Sequence, residues 1–292
     1  MKFTENNNKS NMLSRIYLLF RSLSVFCRRT FHREKGVRHT DIWKGEYVTW
    51  EEAAMQCGGY STAKIVKACK DALLKVKNGE AAYERDSVLF DEIQYSWVLL
   101  TGLQLAAARN NGCISVADFG GSLGSSYFQN RLFLARLKEC KWNIIEQEGF
   151  VKTGRDYFAD ETLTFFEKID DCVYDKHPNV LVLSGVAQYL KDPHDLLDQI
   201  LRFNFDVIII DRTAFIEGAK DLLTIQKVPN HIYTASYPAW FFSRDRFMAH
   251  FSEGYDLLAR APWWCDPPMY INGHHQASWD GLIFVRKDKP IS

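Results

Sequence analysis

The sequence predicts an α/β fold in which a doubly wound, mostly parallel sheet carries a C-terminal antiparallel hairpin and an N-terminal helical cap. From residue 111 onward, short apolar runs alternate with helical patterns, which is typical of a parallel sheet covered by helices on both faces. The run at 205–210 (FDVIII) is apolar along most of its length, so we expect this strand to be buried on both faces. A helical pattern at 243–250 is then followed by two strands, at about 255–261 and 281–286, which predict the hairpin.

The helical cap is predicted at residues 41–110, before the sheet domain at 111–292. The run Thr49-Trp50-Glu51-Glu52 has the form of a helix capping box and opens a short helix. A second helix is predicted from Ser61 to Asn78-Gly79, and a third from about Ser87 to Arg109, because apolar residues recur there with a helical period.

A charged cluster, Tyr83-Glu84-Arg85-Asp86, lies at the junction between these last two helices. Junction residues on a rigid scaffold are well placed to face a functional site. Alternatively, the cluster is an ordinary set of ion pairs in which Asp86 or Ser87 caps the next helix. The sequence leaves both interpretations open.

The first 40 residues form a basic arm, with nine Lys or Arg against two Glu, although the whole chain balances 36 basic and 36 acidic residues. The balance gives no whole-protein argument for nucleic-acid binding. Residues 12–31 show a basic amphipathic pattern but no uncharged run near the roughly 20 residues of a membrane span. This segment either lies in a membrane interface, at the inner face of the membrane, or packs on its own domain.

Cysteine and histidine usage indicates a cytoplasmic protein with no metal site. The seven cysteines are scattered without a CxxC pair, which is typical of reduced thiols. His274 and His275 are adjacent, so in an extended chain their side chains would point to opposite sides and make a poor metal pair.

A glycine-rich turn joins the first predicted strand of the sheet, 114–119, to the helix that follows. Its residues are Gly120, Gly121 and Gly124, and Asp118 stands just before them. Such a turn lets the backbone approach a ligand and presents helix N–H groups to it. The next strand ends in Glu146, 22 residues after Gly124. A carboxylate at this position can accept hydrogen bonds from both ribose hydroxyls of an adenosine.

The spacing of this turn favours S-adenosylmethionine over NAD. A dinucleotide site requires G-x-G-x-x-G, and an acid beside the first glycine would repel a pyrophosphate but attract the ammonium of a methionine-type amino acid. No GK[ST] follows, which excludes a P-loop. We expect Gln147, after Glu146, and Ser184, at the end of the strand near 179–183, to complete the cofactor site because ligands bind at the carboxyl ends of strands.

Longer motifs extend this pattern over residues 41–287: YERDSVLFD, ADFGGSLGSSYFQN, WNIIEQ, SGVAQYL, IIIDRT, TIQKVP and SYPAWFF. Together they resemble a family of methyltransferases from bacterial surface-polysaccharide gene clusters. The resemblance implies a class I S-adenosylmethionine fold in a glycan-assembly setting. It matches Asp118, Gly120 and Gly124 to the cofactor loop and Glu146 to the ribose-binding acid. Ser122 departs from the usual D/E-x-G-x-G-x-G pattern, because it stands at the second of the three glycine positions.

Candidates for the remaining roles follow from position. The resemblance implies an acid that reads adenine, and either Glu167 or Asp170 fits. Arg212, at the tip of the fifth strand, either binds a phosphate or carboxylate of the acceptor or pairs with a neighbouring acid. His274 and His275, in the connection before the last strand, are the candidate general bases.

The sequence therefore predicts an S-adenosylmethionine-dependent methyltransferase that O-methylates a saccharide or a saccharide-bearing precursor, such as a lipid-linked one. The alternative is a non-catalytic methyltransferase-like protein that binds a partner in a glycan-assembly complex. An NAD-dependent enzyme is disfavoured by Asp118 and the glycine spacing.

Overall fold

The computed structural model describes residues 42–58, 62–228, 235–262 and 269–287. The basic arm and its amphipathic segment lie outside these residues, so the predictions made for them stay predictions. Within the described ranges, every helix is too short or too polar to cross a membrane.

The elements follow one another in chain order. The first half contains β1 (Trp43–Tyr47), α1 (Trp50–Met55), α2 (Thr62–Lys77), β2 (Tyr83–Arg85), β3 (Val88–Phe90), α3 (Trp97–Arg109), β4 (Cys113–Phe119), α4 (Ser125–Leu134), β5 (Glu139–Ile145), α5 (Glu148–Tyr157), β6 (Leu163–Phe166) and α6 (Ile169–Lys176). The second half contains β7 (Val180–Ser184), α7 (Pro193–Leu201), β8 (Val207–Ile216), β9 (Leu222–Lys227), β10 (Ser236–Ser243), α8 (Arg244–Ala249), β11 (Tyr255–Pro262), β12 (Met269–Ile271) and β13 (His275–Arg286).

The central sheet confirms the predicted fold class. Its parallel strands lie in the order β6, β5, β4, β7, β8, and β13 then pairs antiparallel with both β8 and β11. Numbered along the chain, these seven strands have the order 3-2-1-4-5-7-6. That is the order of class I methyltransferases, with the C-terminal antiparallel hairpin that the sequence predicts.

Burial of both sheet faces explains the apolar run of β8. Val207 and Ile209 pack in a core with residues of α2, α3 and α5, while Ile208 and Ile210 pack in a second core with residues of α6, α7 and α8. All four side chains are fully buried. Because side chains alternate along a strand, only a run that is apolar at successive positions can serve both cores.

The helical cap contains strands that the sequence analysis did not predict. The third helix begins at Trp97 rather than near Ser87, because residues 83–90 form the hairpin of β2 and β3. Asp86 and Ser87 turn this hairpin with φ of 52° and 66°. The helix is capped instead by Ser96, whose Oγ accepts from the N–H of Leu99 at 3.4 Å. The capping box of α1 is confirmed, since Thr49 Oγ1 accepts from the N–H of Glu52.

The sheet also extends beyond its predicted edge. Strand β8 continues to Ile216 and pairs there with the end of β10, a strand that the sequence analysis does not predict. Strand β9 pairs antiparallel with β10, and β1 pairs antiparallel with β9. On the other side of β8, the first half of β13 continues the sheet and pairs with β12. We call the strands β12, β13 (275–280), β8 (212–216), β10, β9 and β1 the sheet extension.

The two ends of the sheet extension meet. Asn272, in the turn between β12 and β13, hydrogen-bonds both the N–H and the carbonyl of Gly45 in β1. Trp43 of β1 packs on Trp279 of β13 and on Phe241 of β10, with ring centroids 5.1 and 6.0 Å apart. The sheet extension therefore curls round an apolar centre of its own, and this centre, which includes Ala214 and Ile216 of β8, lies past the carboxyl end of β7.

Candidate functional site

A cavity of about 340 Å³ lies at the carboxyl ends of β4, β7 and β8. Strand β2, the start of α4 and the sheet extension enclose it. Polar side chains, aromatic rings and two glycines line it, among them Tyr83, Glu84, Arg85, Asp86, Gly120, Gly121, Ser122, Ser125, Gln129, Ser184, Gln188, Tyr189, Arg212, Trp43 and Trp279. This is the edge of the sheet at which open α/β folds bind their ligands.

Bare backbone forms the floor of the cavity at the glycine-rich turn. Gly120 has a φ of +72°, and a Cβ on it would lie 2.3 Å from Cγ2 of Val186. A Cβ on Gly121 would lie 2.5 Å from the carboxyl group of Asp118. Both positions therefore require glycine, and the turn leads through Gly124 into α4. A ligand can contact the main chain directly at this point.

Asp118 lies beneath this turn rather than in the cavity lining. Its Oδ2 accepts a hydrogen bond from Nε1 of Trp142 at 2.9 Å, and the side chain is fully buried. Burial raises the pKa of Asp118 to about 7, against the lowering effect of the Trp142 hydrogen bond. In this structure the acid supports the turn from below.

Glu146, directly after β5, is connected to the same turn. Its carboxylate accepts from the N–H of Gln147 at 2.8 Å and from the backbone of Ser122. Burial raises its pKa, and these two hydrogen bonds lower it. Glu146 and Gln147 stand beside the cavity but are not among its described lining residues, whereas Ser122 is. Glu167 and Asp170 are also absent from the described lining.

Arg212 and Ser184 come together in the cavity wall. Arg212 has a φ of +50° inside β8, and its Nη2 lies 3.2 Å from Oγ of Ser184. Ser184 donates to Oδ2 of Asp211 at 2.9 Å, and Arg212 Nε lies 3.6 Å from the same oxygen. Burial alone would lower the pKa of Arg212, but Tyr83, Asp211 and Asp86 raise it. The guanidinium group is thus held charged beside the cavity.

The Tyr83–Asp86 cluster also forms part of the cavity wall, which favours the first of its two interpretations. Glu84 is only 2% exposed, and it accepts from Oγ of Ser125 and from the N–H of Ser87. Burial raises the pKa of Glu84 to about 7, with a smaller contribution from Asp86. The sequence indicates this part of the site through four successive side chains that carry charge or form hydrogen bonds. It does not indicate that these residues form a strand.

His274 and His275 lie elsewhere, next to Glu46 in β1. Nε2 of His275 is 3.0 Å from Oε1 of Glu46, and Nε2 of His274 is 3.4 Å from the same oxygen. The two side chains converge rather than point to opposite sides, because His274 belongs to the turn after Asn272 and Gly273. Neither histidine is among the described lining residues of the cavity.

Comparison with known proteins gives structural similarity alone, since no family model and no curated protein matches this sequence. One similar structure is the N-terminal domain of EvdMO1 in the presence of SAH and D-fucose (12% identity, 75% of this chain, 96% of that chain, TM-score 0.45). Another is the glycopeptide N-methyltransferase MtfA complexed with S-adenosyl-L-methionine (12% identity, 65% and 95% coverage, TM-score 0.40). A third is magnesium protoporphyrin IX methyltransferase (ChlM) from Synechocystis PCC 6803 with bound SAM (10% identity, 78% and 99% coverage, TM-score 0.40).

All three TM-scores are below 0.5, so these similarities support no inference about this chain. The fold rests on its own strand order. Membership of the surface-polysaccharide methyltransferase family stays a prediction.

Proposed function

We propose that this chain is an S-adenosylmethionine-dependent methyltransferase that O-methylates a saccharide or a saccharide-bearing precursor in surface-polysaccharide assembly. One observation carries the proposal: the bare backbone of Gly120, Gly121 and Ser122 forms the cavity floor at the carboxyl end of β4. Glu146, at the end of the adjacent strand, is hydrogen-bonded to that same turn.

The residues at this edge suit the cofactor. A Cβ at Gly120 or Gly121 would collide with Val186 or with the Asp118 carboxyl group, so both positions stay glycine and the main chain of the turn remains open to a ligand. Glu146 is half-buried at the tip of the second strand, where a carboxylate can accept hydrogen bonds from ribose hydroxyls. S-adenosylmethionine, when bound, supplies an electrophilic methyl group.

The opposite wall of the cavity has the groups that an O-methyl acceptor needs. Arg212 and Gln188 offer hydrogen-bond donors to acceptor oxygens. Trp43, Trp279 and Tyr189 present aromatic surface of the kind that packs against a sugar ring.

We assign the role of general base to Glu84. A carboxyl group with a pKa of about 7 is partly ionised at neutral pH, which suits it to remove the proton of an acceptor hydroxyl. Its hydrogen bonds from Ser125 and Ser87 hold the carboxylate in one orientation. His274 and His275 are less suited to this role because they lie with Glu46, outside the described lining.

Calorimetric titration with S-adenosylmethionine and S-adenosylhomocysteine tests the cofactor, with NAD as the comparison ligand. We expect micromolar binding of the sulfur nucleotides, and Glu146→Ala should weaken it at least tenfold, or by about 1.4 kcal/mol. Glu139→Ala is the matched control, because Glu139 is an exposed glutamate at the other end of β5.

A folded protein that binds neither sulfur nucleotide would contradict the proposal and favour the non-catalytic binding protein. Preference for NAD would contradict it in favour of a dehydrogenase. If the cofactor binds, radiolabelled methyl transfer to candidate saccharide precursors is the second step, and Glu84→Gln should reduce the transfer rate about 100-fold or more.

A further inference from the structure

A cluster of metal-ligating side chains lies outside the cavity, where the two ends of the sheet extension meet. It consists of Glu46 from β1 and of His274 and His275 from the turn and start of β13. One ligand atom from each residue lies within 4.8 Å of the others. All three side chains are at least partly exposed, so an ion and water could reach them.

Two of the three separations between these atoms are those of a tetrahedral site. Zinc binds imidazole nitrogen and carboxylate oxygen at about 2.0–2.2 Å, so neighbouring ligand atoms of a tetrahedral site are about 3.3 Å apart. The two Nε2–Oε1 separations, 3.0 Å for His275 and 3.4 Å for His274, lie on either side of this value. Three protein ligands leave a fourth position for water.

The hydrogen bonds round the cluster prepare His274 to act as a ligand. Its Nδ1 lies 2.9 Å from the carbonyl oxygen of Asn272, which can only accept, so Nδ1 carries the proton. Nε2 is then the nitrogen that faces the carboxylate of Glu46, and a cation placed between them would bind the lone pair of the neutral ring together with a carboxylate oxygen. A carbonyl that accepts from the second ring nitrogen is the usual outer partner of a metal-bound histidine.

Asn272 also orients the carboxylate. Its Nδ2 donates to Oε1 of Glu46 at 3.3 Å and to the carbonyl of Gly45 at 3.2 Å. The side chain therefore keeps β1 and the β12–β13 turn in register at the position of the cluster.

We infer that Glu46, His274 and His275 bind one Zn²⁺ ion, which joins β1 to the β12–β13 turn. The set of two imidazoles and one carboxylate suits zinc among common divalent ions. The ion would connect residues 229 positions apart in the chain and so hold the sheet extension closed beside the cavity. Its role is structural, since the cluster is separate from the described cavity lining.

Calorimetric titration of the full, EDTA-treated and thiol-reduced chain with zinc chloride at pH 7.5 tests this inference. We expect one equivalent to bind with a Kd of about 10 μM or tighter. His275→Ala and Glu46→Gln should each weaken binding at least tenfold. His177→Asn is the matched control, because His177 is exposed and its φ of 44° suits asparagine. Zinc should raise the Tm of the wild type and of this control but not of His275→Ala.

Cobalt substitution gives a second measurement that needs no variant. A site of nitrogen and oxygen ligands gives visible Co²⁺ absorption without the near-ultraviolet band of a thiolate ligand. Absence of zinc binding would overturn the inference and leave the hydrogen bond between His275 and Glu46 as the link between the two segments. Undiminished binding in both variants, or a thiolate band in the cobalt derivative, would overturn it in favour of a cysteine site.

Discussion

Two buried carboxyl groups near the cavity have a pKa of about 7, and burial is the main cause in both. Asp118 contacts Trp142 and supports the glycine-rich turn, whereas Glu84 lines the cavity. Burial therefore raises the pKa of a carboxyl group at two positions with different surroundings. Of the two, only Glu84 borders the space that a ligand would occupy, as its proposed role of general base requires.

The raised pKa of Glu84 predicts a pH dependence of stability. The folded state holds this proton more tightly than the unfolded state, where the pKa is near 4.5. The stabilising contribution is full below pH 4.5 and is lost as the pH rises through about 7. Its upper limit is about 3 kcal/mol.

Glu84→Gln keeps the acceptor oxygen but removes the titration. Between pH 5 and pH 8, the unfolding free energy of this variant should therefore fall by about 1–3 kcal/mol less than that of the wild type. Urea unfolding at both pH values measures this difference, with the exposed Glu92→Gln as control. Equal pH dependence in wild type and Glu84→Gln would show that Glu84 is already ionised at pH 5.

Among the elements, the turn between β4 and α4 is the most tightly constrained. Val186 lies above Gly120 and the Asp118 carboxyl lies under Gly121, so the turn has no room for side chains at either position. These two contacts fix the backbone path of the turn. Ligand binding at the turn should therefore be sensitive to the addition of a single methyl group.

Gly121→Ala tests this sensitivity. The added Cβ must displace the turn or the carboxyl group, since it would otherwise lie 2.5 Å from Asp118. We expect a loss of about 1–3 kcal/mol of stability and at least a tenfold weaker affinity for S-adenosylmethionine. Gly254→Ala is the control, because a Cβ there has no neighbour within 4 Å. Wild-type stability in Gly121→Ala would mean that the turn relaxes freely.

At the scale of the whole molecule, the sheet extension and the central sheet are continuous through β8 and β13. The extension has an apolar centre made by Phe241, Ile271 and Trp279, against which Trp43 packs. Its stability should therefore depend on β1, although this strand comes long before β8 in the sequence.

Trp43→Ala should lower the unfolding free energy by about 2–4 kcal/mol, because it removes the indole that packs on Trp279 and Phe241. Trp97→Ala removes an indole that is 60% exposed and should lower it by less than about 1 kcal/mol. Chemical unfolding followed by circular dichroism compares the two variants. Similar losses for both would mean that β1 contributes little to the fold.

Local patterns in the sequence were sufficient to predict the central sheet. The strand predicted at 114–119 differs by one residue from the observed strand, Cys113–Phe119, and Gly120 and Gly121 were predicted at the ligand-binding edge. Arg212 and Ser184 were predicted there because the carboxyl ends of neighbouring strands share one edge. These features depend only on residues close in the chain and on a general rule of sheet topology.

Contacts between distant segments could not be predicted in the same way. The sequence analysis does not predict strand β1, because its partner, β9, lies about 180 residues later and is not predicted either. The contact of Glu46 with His274 and His275 depends on that pairing. Likewise, the role of Glu84 depends on β2 reaching the start of α4.

The closing contact between β1 and the β12–β13 turn has a consequence for folding kinetics. Bringing Glu46 to His275 closes a loop of 229 residues, and such a closure loses more chain entropy than the local pairing of β4 with β5. Contacts of long sequence separation form slowly, so the side of the cavity that carries Trp43 should be completed late in folding. A fluorescent ligand of the cavity would then report the last folding step, well after secondary structure has formed.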